Sequence, residues 1–292
     1  MTDSLLNLLG ARAGERWVTA LALPGLLFTG LAVVAAVLGQ RDWDDVGGLA
    51  RGLAANPLDE LAATPSGVAL AIALVLLAAL AAGVLAHLLS VLVLAGWEGR
   101  WPLPGAVRLA TERRRRRWNA LQARFEQALA AGAAPPTAER LGRRRNAIAL
   151  AEPQRPTWLG DQLAAVATRV HAEYGVDLGA AWPRLWLLLA ADARHEVRTA
   201  RAELDSSAVL AGWGLLYLAL GILWWPAALA GIVALLVAWA GARRTAARLA
   251  ELVESTVDLH LADLARALGE ATDRAVTPET GRRITARLRK GA

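Results

Sequence analysis

The chain contains no cysteine in 292 residues. That excludes disulfides, thiol nucleophiles and Cys-ligated metals, and it leaves the redox state of the compartment unconstrained. Lysine occurs once, at Lys290, so the positive charge is carried almost wholly by arginine. Two Tyr and two Phe stand against 12 Trp. No P-loop, GxSxG, HExxH or GxGxxG pattern is present, and with them go the commonest signatures of nucleotide, hydrolase and zinc chemistry. Asp258, His260 and Asp263 fall on different faces of one helical segment and match no ligand spacing. The sequence therefore reads as non-enzymatic, with no catalytic residue, cofactor or metal site. Charge too is absent over a long stretch: residues 206–242 hold no charged side chain.

What is present is apolar material in blocks. The chain is 55% hydrophobic, against about 45–50% for a soluble domain, and its mean hydropathy is +0.35. A spanning helix needs about 20 apolar residues. Residues 18–38 suit one span. A secretory signal is the competing reading, but its apolar core would be shorter, about 7–15 residues. Residues 67–96 exceed one span, which implies tilt or projection beyond the bilayer. Residues 206–242 are too long for one span and about right for two short ones. Trp224-Trp225-Pro226 sits in the middle; proline breaks a helix and tryptophan favours the membrane boundary, so a turn is expected near 224–226.

The expected fold is an all-α membrane protein with four transmembrane helices as two hairpins, 1–96 and 206–242. A helical insert, 97–205, separates them, and an amphipathic C-terminal helix with a frayed basic tail, 243–292, follows. The connection 39–66 is net acidic and reads as loop, punctuated by Asn56-Pro57 and Thr64-Pro65. In the insert a charged helix is expected over 106–131. Thr157 is placed to cap a helix running to about Glu173, Gly175 to end it, and Asp177 to cap the next. Beyond the second hairpin, Leu249, Leu252, Val253, Val257, Leu261, Leu264 and Leu268 mark one helical face.

Arginine fixes the expected orientation. Arg12 and Arg16 precede the first span, Arg100, Arg108 and Arg113–Arg117 follow the second, Arg194, Arg198 and Arg201 precede the third, and Arg243, Arg244 and Arg248 follow the fourth. With four spans all lie on one side, and the positive-inside rule makes that side cytoplasmic. Both termini and the insert are then cytoplasmic.

Candidate sites are few. Arg113, Arg114, Arg115, Arg116 and Arg117 form the sharpest local feature. Near a membrane each could gain about 1 kcal/mol from anionic phospholipid headgroups; the plainer reading is a topology determinant with a solvated face. Nucleic acid is disfavoured, since a basic run alone is weak support and no recognition motif accompanies it. His87 is the one titratable group of the 67–96 block and the sole candidate for a pore or proton relay; an interfacial or packing role is the simpler reading. Alanines at fourfold spacing, Ala78, Ala82 and Ala86, then Ala230, Ala234, Ala238 and Ala242, suit close helix packing and a homo-oligomer.

Pro156-Thr157-Trp158-Leu159-Gly160-Asp161, Tyr174-Gly175-Val176-Asp177 and Trp182-Pro183-Arg184-Leu185-Trp186 lie before the second hydrophobic hairpin. Together they resemble a PTxLGN…YGxD…WPRL pattern of bacterial, especially actinobacterial, integral membrane proteins of no assigned activity. The likeness covers about residues 150–225, with Asp161 where the pattern has Asn. It implies a bacterial inner-membrane location, a cytoplasmic motif domain, and importance for Thr157, Gly160, Tyr174, Gly175, Asp177, Trp182, Pro183 and Arg184.

Two functions fit this pattern. One is a non-enzymatic protein that anchors or senses a cytoplasmic protein partner at the bacterial inner membrane through its basic insert. The other is a small passive channel or transporter subunit, homo-oligomeric through the alanine stripes.

Overall fold

The computed structural model describes residues 23–54, 64–149, 151–270 and 276–290. Arg12, Arg16, Trp17, the start of the 18–38 block and Asn56-Pro57 lie outside them. All regular structure among the described residues is helical: α1 (Leu23–Leu38), α2 (Val46–Ala54), α3 (Pro65–Trp97), α4 (Pro104–Ala130), α5 (Pro135–Ile148), α6 (Trp158–Tyr174), α7 (Leu178–Leu188), α8 (Ala191–Leu220), α9 (Trp225–Ala267) and α10 (Pro278–Leu288). Among the described residues, α3 and α9 are long and apolar enough to cross a membrane, while α1 is apolar but shorter. The apolar half of α8 ends at Leu220. The chain forms two compact units, Met1–Val93 with Ser207–Ala240, and Leu94–Ser206 with Gly241–Ala292.

Helix starts follow local chemistry. Pro65, Pro104, Pro135 and Pro278 each open a helix, where a missing N–H costs nothing and the fixed φ suits the first turn. Two expectations are corrected. The 39–66 segment is not all loop, because the Asp45 carboxylate accepts from Gly48 N at 2.8 Å and starts α2. The C-terminal tail is not frayed. Thr277 caps α10 by accepting from Thr280 N at 3.3 Å, and Ile284 and Leu288 lie buried on its inner face.

The apolar unit is held by close backbone approach. A Cβ on Gly25 would lie 2.2 Å from Ala79 O, and one on Gly212 only 2.3 Å from Ala86 O. On the α8–α9 hairpin a Cβ on Gly231 would lie 2.7 Å from Gly214 O. Phe28 fills the centre, edge-on to Tyr217 at 5.3 Å and 6.0 Å from Trp213. Chain reversal occupies 221–224, just ahead of Trp225-Pro226. Gln40 clamps it: its Nε2 donates to Gly221 O and Ile222 O at 2.8 and 2.7 Å, and its Oε1 accepts from Trp225 N at 3.2 Å. Trp43 stacks edge-on to Trp225 at 5.0 Å. The connection after α1 and the turn after α8 thus share one end of this unit.

The arginine-rich unit has a larger core. Val166 and Val170 of α6, Leu185 of α7, Val257, Leu261 and Leu264 of α9 and Ile284 of α10 are all buried in one cluster. The leucine face read along α9 is the face that this cluster uses. Beside it α4 and α5 form a hairpin, with the Arg145 guanidinium 5.2 Å from the Phe125 ring and 5.8 Å from Trp118. Arg145 therefore packs internally through its planar group.

Candidate functional site

Three motif segments lie in the arginine-rich unit, and two of them make joints between helices. The first joint is built on Arg114. Its Nη2 donates to Ile148 O at 2.7 Å, and its Nη1 donates to Arg155 O at 2.5 Å, to Thr157 O at 2.7 Å and to the Asp161 carboxylate. Both side chains are mostly buried, 17% and 15% exposed. The other Asp161 oxygen accepts from Gln154 N and Arg155 N at 2.9 and 2.7 Å. An asparagine amide facing Arg114 would set donor against donor, so Asp161 and Arg114 are chemically matched. Thr157 Oγ1 accepts from Gly160 N at 3.1 Å and donates to Trp97 O at 2.5 Å, tying the start of α6 to the end of α3. A Cβ on Gly160 would lie 2.6 Å from Glu98 O, so only glycine permits that approach.

The five arginines of the run do not share one environment, as a helix pointing them all round requires. Arg114 is spent on protein acceptors, and Arg115 reaches Glu152 at 3.1 Å and Pro153 O at 3.4 Å. Arg116 makes an exposed pair with Glu112 at 3.5 Å, a contact worth little in solvent. Arg113 and Arg117 are exposed, and no carboxylate of the described residues pairs with them. Three side chains of the five, Arg113, Arg116 and Arg117, remain for an outside anion.

The second joint seats α10. Gly175 adopts φ +68° at the end of α6, and a Cβ there would lie 2.3 Å from Pro278 O. Asp177 caps α7, its Oδ1 accepting from Gly179 N at 2.9 Å, while Asp177 N donates to Thr285 Oγ1 at 3.0 Å. The Arg289 guanidinium bonds the second carboxylate oxygen of Asp177. That contact first, and the N–H groups of Ala180 and Gly179 after it, hold the Asp177 carboxyl below its ordinary range. Tyr174 OH donates to Asp258 Oδ1 at 2.9 Å, which pushes the phenol up. Nearby Arg169 forks onto Glu254 at 2.7 and 2.6 Å and lowers the Glu254 carboxyl. Tyr174 and Asp177 thus point to separate partners and do not form an acid–base pair. His260 faces Asp263 at 3.2 Å, apart from the Tyr174–Asp258 contact.

The third segment lies on α7. Pro183 removes a backbone donor in mid-helix, and Arg184 Nη1 donates to Ala180 O at 2.9 Å within the same turn. The Trp182 and Trp186 rings lie 6.0 Å apart, tilted at 44° to each other. With Pro183 they line a groove of about 830 Å³. In the apolar unit, His87 is exposed on α3 between buried Ala86 and Ser90. Of the two alanine stripes, Ala86, Ala238 and Ala242 are buried inside the chain and Ala78 is exposed.

Several partners had no sequence signal. Gln40, Asp258, Thr285 and Arg289 are ordinary polar residues until the fold brings them to the turn and to the α10 seat. Arg198, stacked 5.4 Å from the Trp186 ring, is another. No protein-family model, curated protein or solved structure matches this chain.

Proposed function

We propose that the protein is a four-span, non-enzymatic anchor of the bacterial inner membrane. Its termini and its arginine-rich helical unit are cytoplasmic, the unit lies against anionic phospholipid headgroups, and it presents its surface to a cytoplasmic protein partner. The observation that carries this reading is continuity. α8 and α9 each run without a break between an apolar stretch and arginine-bearing sequence, and apolar α3 ends just before Arg100. Charge close to span ends is what orients a membrane protein. The clamp of Gln40 on residues 221–222 supports pairing the two reversals on one side of the bilayer. Arg113, Arg116 and Arg117 are the residues proposed to meet lipid phosphate, each contributing about 1 kcal/mol near an anionic surface.

The PTWLGD and YGVD segments act in this reading as joints that keep the unit rigid, and Trp182 and Pro183 as part of its exposed face. The test is cross-linking in native membranes, with photo-reactive residues placed singly at Arg117 and Leu187 of the full chain. The reading expects a discrete protein adduct from Leu187 and lipid adducts from Arg117. Adducts with lipid at both positions, and none with protein, would remove the partner from the account.

A further inference from the structure

The groove on α7 includes Trp182 and Pro183 of the exposed face, and its chemistry points beyond protein docking. Its walls are Trp182 and Trp186 of α7, Leu163 of α6 and Val253 of α9, and two guanidiniums of α8, Arg198 and Arg201, interrupt this apolar lining. Arg201 is neutralised by Glu98 at 3.3 Å and Asp205 at 3.2 Å. Arg198 is not: it lies 5.4 Å from the Trp186 ring centroid, and no carboxylate of the described residues pairs with it. The volume, about 830 Å³, falls in the roughly 300–1,000 Å³ range of small-molecule sites. An apolar trough with one uncompensated cation is complementary to a long apolar tail that ends in one negative charge. A phosphate monoester would bring a second charge with no cation to meet it, and a helical peptide would need a longer charged rim.

We propose that this groove binds a long-chain fatty carboxylate. The tail lies along Trp182, Trp186, Leu163 and Val253, and the carboxylate takes a forked, charge-assisted hydrogen bond from the Arg198 guanidinium. The site requires no protein partner and stands apart from the anchoring role.

The experiment uses the full chain in phosphatidylcholine nanodiscs with a diazirine-bearing palmitate, followed by peptide mapping. Labelling concentrates on peptides 178–186 and 249–253. Arg198→Gln lowers it about tenfold and Arg198→Lys by less, as loss of one charge-assisted bond requires. Val253→Trp, which fills the trough and leaves Arg198 in place, abolishes it. Free palmitate competes, and palmityl alcohol does not. If Arg198→Gln lowers the melting temperature of the unit, the Val253→Trp and alcohol arms decide. Labelling that ignores both substitutions, or equal competition by the alcohol, overturns the proposal. So does stronger competition by lysophosphatidic acid, which would make the head a phosphate. A groove cross-link between two copies of the chain overturns it as well, since the occupant would then be a second protomer.

Discussion

The two units of this chain share one device, glycine at close backbone approaches, and differ in what else holds their helices together. In the apolar unit the contacts are made where side chains are missing. Gly25, Gly212 and Gly231 let backbones approach to distances that a single Cβ would forbid. That suits helices whose surroundings offer no hydrophobic gain on association. In the arginine-rich unit the contacts are apolar side chains in a shared core, locked at their edges by caps and buried ion pairs. Size substitutions at the close glycines should therefore damage both units, and truncations or lost polar partners chiefly the second.

The largest effect is expected from Ile284→Ala. Ile284 is fully buried, and deleting such a side chain costs about 2–5 kcal/mol. Thermal unfolding should fall accordingly, and protease should cut earlier near residue 276. The same truncation at exposed Leu236 should change stability by no more than about 0.5 kcal/mol. Next is Arg114→Met, which leaves the Asp161 carboxylate mostly buried with its backbone donors alone. About 2–3 kcal/mol is expected, and a double-mutant cycle with Asp161→Asn should recover part of it. In the apolar unit Gly212→Ala should cost about 1–3 kcal/mol by overpacking, read as earlier unfolding in a denaturing-detergent titration. Thr157→Val, which removes the cap of α6, should cost about 1 kcal/mol.

The smallest expected effect is electrostatic. Asp177 and Glu254 titrate below their ordinary values when folded; unfolded, they take protons at about 3.9 and 4.3. As pH drops through that range the unfolded chain binds protons first, so stability is full above it and is lost progressively down to the folded values. Melting temperature measured from pH 6 to pH 3 should fall on the acid side, and Asp177→Asn should flatten that limb.

Much of this was legible in the residues themselves. Thr157, Gly175 and Asp177 announce caps because cap chemistry is local, and the structure has each of them there. Trp224-Trp225-Pro226 announces a reversal for the same reason, and the turn lies at 221–224. The leucines of α9 recur at helical spacing and form one wall of the core. What could not be read is what depends on distant partners. Five consecutive arginines look equivalent in sequence, yet Arg114 alone meets the three carbonyls and one carboxylate that turn it inward. The tail GRRITARLRKGA looks too charged to fold, and only the cluster that includes Val166, Val170, Leu185, Leu261 and Leu264 gives Ile284 somewhere to bury. Among the described residues α1 and the apolar half of α8 are shorter than α3 and α9, so the proposal of four spans rests on charge placement more than on length.

The most direct measurement exploits the absence of cysteine. Single cysteines are introduced as Arg51→Cys, Arg117→Cys and Lys290→Cys, and whole cells are treated with a membrane-impermeant maleimide. The account predicts that Arg51→Cys is labelled in intact cells and that the other two are labelled only after the membrane is opened. Labelling of Arg51→Cys and Lys290→Cys under the same condition would contradict it.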